Sequence, residues 1–218
     1  MSRVAAVRAR ARPEGDAALD ALLVRIRACR LCEPTLPLGA RPVLQAGTGA
    51  RLLIVGQAPG MKVHMSGVPW DDASGERLRD WLGLEPAVFH DPRRVVILPM
   101  GFCYPGRGRG GDLPPRSECA PRWHAPVLAH LPAVELTLLI GRYAQRQFLG
   151  AGRKPSLTAT VAAFADYAPR FLPLPHPSPR NTAWFQRHPW FERELLPVLR
   201  RRVARLFGRT AGAEARTR

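Results

Sequence analysis

Lysine is almost missing from this chain: of 33 basic residues only Lys62 and Lys154 are lysine, and 31 are arginine. Acidic residues are also few, 17 Asp and Glu together, which leaves a formal charge of +16. That balance favours polyanionic partners such as nucleic acid and speeds their encounter. No run of eighteen apolar residues exists, so no membrane-spanning helix is expected. Scattered arginines at the N-terminus (Arg3, Arg8, Arg10, Arg12) are not followed by an apolar core, so no signal peptide is expected and a cytoplasmic protein is. Cysteine is limited to Cys29, Cys32, Cys103 and Cys119. In a reducing compartment these are not expected to form structural disulfides. There is no internal repeat and no heptad pattern.

What is present is an ordinary globular composition, 46% hydrophobic, enough for one domain with a buried core. The Arg/Ala-rich residues 1–16 are expected to be a flexible tail, 17–207 the folded domain, and 208–218 a second tail. Leu19, Leu22, Leu23 and Ile26 fall at helical spacing within 16–28. Residues 51–56 are a short aliphatic run ended by Gly56, Pro59 and Gly60, the pattern of a buried strand feeding a loop. Leu78, Trp81 and Leu82 mark a helix that stops at Gly83. Val95 to Met100 is a second buried strand, followed by a Gly/Pro/Arg-rich loop over 105–116. Residues 120–131 are helical in pattern, 135–140 a third strand, and 142–149 and 158–166 helices. Residues 171–174 form a fourth strand, and 189–207 a final helix with Leu195, Leu196, Leu199, Val203 and Leu206 on one face.

Short apolar strands alternating with helices imply a three-layer α/β/α fold around a central four-stranded parallel sheet. The crossover rule then places all four strand-end loops along one edge of the sheet, where ligands of open α/β folds bind. Those loops are 57–60, 101–106, 141–142 and 176–179. Cys29 and Cys32, two residues apart, can serve one centre, and Cys103 and Cys119 form a second pair with fifteen residues between them. Four thiolates suit a [4Fe–4S] cluster or a structural zinc, and spacing alone leaves both open beside four unliganded buried cysteines.

Gly56-Gln-Ala-Pro-Gly60, then Gly67-Val-Pro-Trp70, then His176-Pro-Ser-Pro179 together resemble the uracil-DNA glycosylase superfamily. The cysteine layout resembles its iron–sulfur branch, often called family 4. The resemblance spans roughly residues 25–200. It implies a DNA base-excision repair enzyme that hydrolyses the N-glycosidic bond of uracil or another deaminated base. It also implies a structural [4Fe–4S] cluster on Cys29, Cys32, Cys103 and Cys119, with zinc as the alternative. DNA, double- or single-stranded, would be the partner, and the protein is expected to be a monomer.

The resemblance assigns roles residue by residue. His176 would stabilise the negative charge that grows on the departing base. Gln57, in the first motif, could orient water or bind a base edge. Gly56, Ala58, Pro59, Gly60, Trp70, Met100 and Gly101 would form the base pocket, Trp70 stacking on the extruded base. Pro177, Ser178, Pro179, Arg180 and Asn181 would enter the minor groove and support the flipped nucleotide. No lysine but Lys62 lies in these loops, so no Schiff-base lyase step is indicated.

Two positions depart from the family pattern. Gln57 stands where the iron–sulfur branch has Glu, and Ala58 where the best-studied branch has Asp, so the first motif holds no carboxylate. The 97–101 segment has no Asn to read the uracil edge. His64, Asp71 and Asp72 are candidates to position the water instead. The missing groups leave a second reading in play: a protein of glycosylase fold that binds damaged or single-stranded DNA without cleaving it. A third reading, a Cys₄-stabilised α/β domain acting in protein assembly, is the least supported by the four-loop constellation.

Overall fold

The structure is a computed structural model, which describes residues 14–208. Most of the two expected tails, 1–13 and 209–218, therefore lies outside the described residues. The strands are β1 Leu52–Val55, β2 Val95–Ile97, β3 Arg107–Gly108, β4 Gly111–Asp112, β5 Leu136–Ile140 and β6 Phe171–Leu174. The helices are α1 Glu14–Arg27, α2 Met61–Ser66, α3 Ala73–Leu82, α4 Pro86–Phe89, α5 Cys119–Leu128, α6 Gly141–Leu149, α7 Leu157–Ala162, α8 Thr182–Arg187 and α9 Leu196–Gly208.

The main sheet has the order β2-β1-β5-β6, and every pair is parallel. β1 is central, pairing Leu52 with both Val95 and Leu136. All four residues of β1 are buried, as expected of a strand covered on both faces. Alternate side chains enter opposite layers. Leu52 and Ile54 pack with Leu78 of α3 and Leu199 and Val203 of α9. Leu53 and Val55 pack with Leu22 and Ile26 of α1 and Val127 of α5. The expected three-layer α/β/α fold with a four-stranded parallel sheet is therefore the fold of this chain.

β2 ends at Ile97 rather than Met100. The chain still runs alongside β1: Leu98 N donates to Ile54 O and Met100 N to Gly56 O. The 105–116 loop contains a small antiparallel hairpin, β3–β4, with Arg107 opposite Asp112. Gly111, at φ 137, supplies backbone freedom in its return strand. α2, α4 and α8 have too few residues to show a period. The final helix is broken, with a π-helical turn at Phe191–Leu195 before α9.

Candidate active site

The loop after β1 is the floor of a cavity of about 480 Å³, a size that suits a small ligand or a flipped nucleotide. Among the residues expected there, Gly56, Gln57, Ala58, Pro59, Gly60, Trp70, His176, Ser178, Pro179 and Arg180 line it. Met100 and Gly101 do not. The Met100 side chain is buried in the α1/α5 layer instead, and the wall at this height is made by Ile97, Pro99 and Tyr104. Their contribution is through the backbone: Gly101 N donates to Gln57 O and so fixes the first motif. Pro177 is buried beneath the last loop, and Asn181 braces that loop by donating from Nδ2 to His176 O at 2.7 Å.

Trp70 is held in an unusual backbone conformation, φ 59, rare for a residue other than glycine. Three contacts hold it. Arg79 donates to Trp70 O at 3.3 Å, and His90 Nε2 donates to the preceding Pro69 O at 3.1 Å. Gly75 packs so closely that a Cβ there would lie 1.7 Å from Trp70 O. The indole covers Gly56, where a Cβ would lie 3.1 Å from Trp70 Cζ2. It also faces His176, the ring centroids 5.5 Å apart.

The tautomer of His176 follows from its neighbour. Ser178 N–H donates to His176 Nδ1 at 3.2 Å, so Nδ1 is an acceptor. Burial lowers the imidazole pKa below the ordinary 6.5, opposed by the Asp72 carboxylate. The neutral ring therefore carries its proton on Nε2.

Gln57 is tied down, its amide donating from Nε2 to Leu113 O at 3.0 Å at the base of the hairpin. Carboxylates absent from the first motif reach the cavity from elsewhere. Asp72 Oδ1 caps α3 by accepting from Gly75 N–H at 2.8 Å. A Cβ placed at Gly60 would lie 3.9 Å from Asp72 Oδ2 and 3.5 Å from Asp112 Oδ2. The Asp112 pKa is raised, first by shielding from solvent, with Arg180 and Arg107 opposing and Asp72 adding. His64 and Asp71 do not line the cavity, whereas Asp72 does. Asp112, Arg107 and Tyr104 escape sequence reasoning. One signal was available: Asp112 is the only acidic residue between Gly101 and Arg116.

A uracil DNA glycosylase superfamily model matches residues 45–200, taking in the sheet and every residue of this cavity but Val43. The chain belongs to the uracil DNA glycosylase superfamily. The loops after β1 and β6 both lie inside the matched span and line one pocket. The match begins after Cys29 and Cys32, so the N-terminal cysteine pair stands outside it.

All four cysteines are unbridged and line one small cavity beside Trp123 and Arg116. Among the described residues no group of three or more His, Cys, Asp or Glu is arranged to hold a metal ion, so the thiols are not drawn into a closed ligand shell. Several donors nonetheless lie near sulfur. The backbone N–H of Arg41 lies near Cys103 and that of Phe102 near Cys119, and the Arg116 side chain approaches Cys32. Arg116 Nε is buried there without a hydrogen-bond partner. Burial pushes the Cys103 thiol up to about 12 and raises Cys119 as well.

Proposed function

We propose that this protein is a monofunctional DNA glycosylase that hydrolyses the N-glycosidic bond of uracil, or of another deaminated base, in DNA. The observation that carries this reading is the neutral His176 with its proton on Nε2, in a cavity walled by Trp70. Glycosidic cleavage leaves the bond's electron pair on the base. A fixed N–H donor in a shielded pocket stabilises that anion without needing to reorganise. The base would be flipped from the stack and held against the Trp70 indole.

The last loop is suited to the backbone of the extruded nucleotide. Ser178 and Arg180 lie at the cavity rim, and Arg180 is exposed. An arginine there offers charge-assisted hydrogen bonds to phosphate. Edge recognition is less specialised. With Ile97 and Pro99 at the wall there is no side-chain amide in the β2 loop, which is why the reading extends beyond uracil to other deaminated bases.

The same reading places this chain in the iron–sulfur branch, with Cys29, Cys32, Cys103 and Cys119 as the ligands of a [4Fe–4S] cluster. Support comes from the shared cavity, the N–H groups near sulfur and the unpartnered Arg116 Nε. Such donors favour thiolate, the form that binds metal. The cluster's part would be structural, clasping the chain after α1 to the segment that carries the hairpin.

The test is base release from single- and double-stranded oligonucleotides containing uracil, hypoxanthine or xanthine, with abasic sites cut by alkali. Scission by the wild type that is lost in His176→Ala is the expected result. Tight binding of every substrate without scission would replace this reading with that of a non-cleaving DNA-binding protein.

A further inference from the structure

The first motif contains no carboxylate, yet two reach the cavity above Gly60. They differ in what they are free to do. Asp72 is committed: its Oδ1 caps α3 through Gly75 N–H. Asp112 comes from the β3–β4 hairpin, and among the described residues its carboxylate accepts no hydrogen bond and makes no close ion pair. Arg107 and Arg180 are near enough to influence it electrostatically.

The topology also separates Asp112 from His176. β2 and β6 are the opposite edges of the sheet. His176 follows β6, and Asp112 lies on the excursion that follows β2. The two loops converge on the β1 loop from strands at the two edges of the sheet and line one cavity. Displacement at a sugar carbon needs two such groups about one carbon, one that receives the departing base and one that delivers water.

We infer that Asp112 is a catalytic residue of the glycosylase reaction, the carboxylate that orients and deprotonates the attacking water, supplied by the hairpin in place of the acidic residue missing from the first motif. This rests on the glycosylase reading above. In the step, the bond between the sugar C1′ and the base nitrogen breaks, and its electron pair leaves with the base, stabilised by His176 Nε2–H. Water oxygen bonds to C1′, and one water proton passes to the Asp112 carboxylate. That proton is then returned to the base anion or to solvent, leaving an abasic sugar and the free base. No oxidant or cofactor enters the balance.

Gln57 gains a definite part. By holding Leu113 O it anchors the residue next to Asp112 to the first motif. It is thus a positioning residue for a carboxylate it does not itself carry. Arg180 bears on the same hairpin, since a Cβ at Gly111 would lie 2.6 Å from its Nη1.

The experiment is single-turnover base release by wild type, Asp112→Asn, Asp112→Ser and Asp72→Asn, with DNA affinity and thermal stability measured for each. Asn retains the capping oxygen at position 72, so that variant removes charge and keeps α3. Asp112→Asn and Asp112→Ser are expected to lower the rate about 100-fold or more, with affinity kept, as for loss of a general base. Wild type should lose rate with acid as Asp112 protonates, in a field set by Arg107, Arg180, Asp72 and Tyr104, with Lys62 and His176 in the same cavity. That acid limb should vanish in Asp112→Asn. An active wild type with both Asp112 variants within about threefold of it, far below the general-base range, would overturn the inference alone. A large loss in Asp72→Asn with Asp112→Asn unaffected would transfer the role to Asp72. A wild type inert on every deaminated base would sink the glycosylase reading, and this role with it.

Discussion

The indole of Trp70 and the imidazole of His176 face each other with centroids 5.5 Å apart and planes inclined by 33°. One ring is the apolar platform of the cavity and the other its polar donor. Their spacing depends on Gly56 and Gly75, which let backbone and ring approach more closely than any side chain would allow.

Trp70→Ala should weaken capture of the flipped base. Base–aromatic stacking is worth about 1–3 kcal/mol, so a roughly ten- to hundredfold loss in kcat/KM is expected. Gly56→Ala should reproduce much of that loss by displacing the indole from 3.1 Å contact, with the fold intact. Gly75→Ala should go further and lower the melting temperature, because the new methyl would overlap Trp70 O. Equal activity in all three variants would show that Trp70 is not the platform.

His176→Ala should lower the single-turnover rate by about 10²–10³, the usual cost of one preorganised donor to a developing anion. Affinity for uncleaved DNA should change little. His176→Asn should recover part of the rate, since its amide can still donate into the cavity. A rate loss matched by an equal loss of affinity would point to simple base binding.

Replacing any one of Cys29, Cys32, Cys103 or Cys119 by Ser should remove bound iron and sulfide and lower thermal stability. Elemental analysis of the purified wild type checks the ligand directly: iron with acid-labile sulfide is expected. Stoichiometric zinc without sulfide would exchange the cluster for the structural ion, and no metal of any kind would leave four buried thiols.

Stability should decline on the acid side of neutrality. Burial lowers the pKa values of His64, His124 and His176 below the ordinary 6.5. The unfolded chain then binds protons that the folded chain refuses. Stability from keeping these rings neutral is complete above 6.5 and is lost as pH falls through their folded values. His124 is held by donating from Nε2 to Pro99 O at 3.0 Å, behind the cavity wall. Urea midpoints measured over this range should fall for wild type and fall less for His124→Gln. A flat wild-type profile down to the carboxylate range would contradict the shifts.

Much of this protein was legible in the chain itself. The aliphatic run Leu52–Val55, closed by Gly56 and Pro59, identifies a doubly covered strand, because only apolar residues survive burial on both faces. The alternation of such runs with helical patterns leads to the parallel sheet, and the crossover rule brings the β1 and β6 loops to one edge. Gln57, Trp70 and His176 are singled out through the motif resemblance, and the fold brings all three to one cavity. The hairpin is different. Arg107–Gly108 and Gly111–Asp112 are two residues each, too short for any period, and their pairing depends on where Gln57 and Arg180 hold the loop. Met100 points into the α1/α5 layer because the alternation of Val96 and Leu98 continues to it. Local pattern determined which strands and loops exist, since backbone hydrogen bonding and burial act over neighbouring residues. Tertiary packing decided which carboxylate stands over Gly60, because Asp72 and Asp112 are forty residues apart and only the folded sheet edge brings them within reach of one atom.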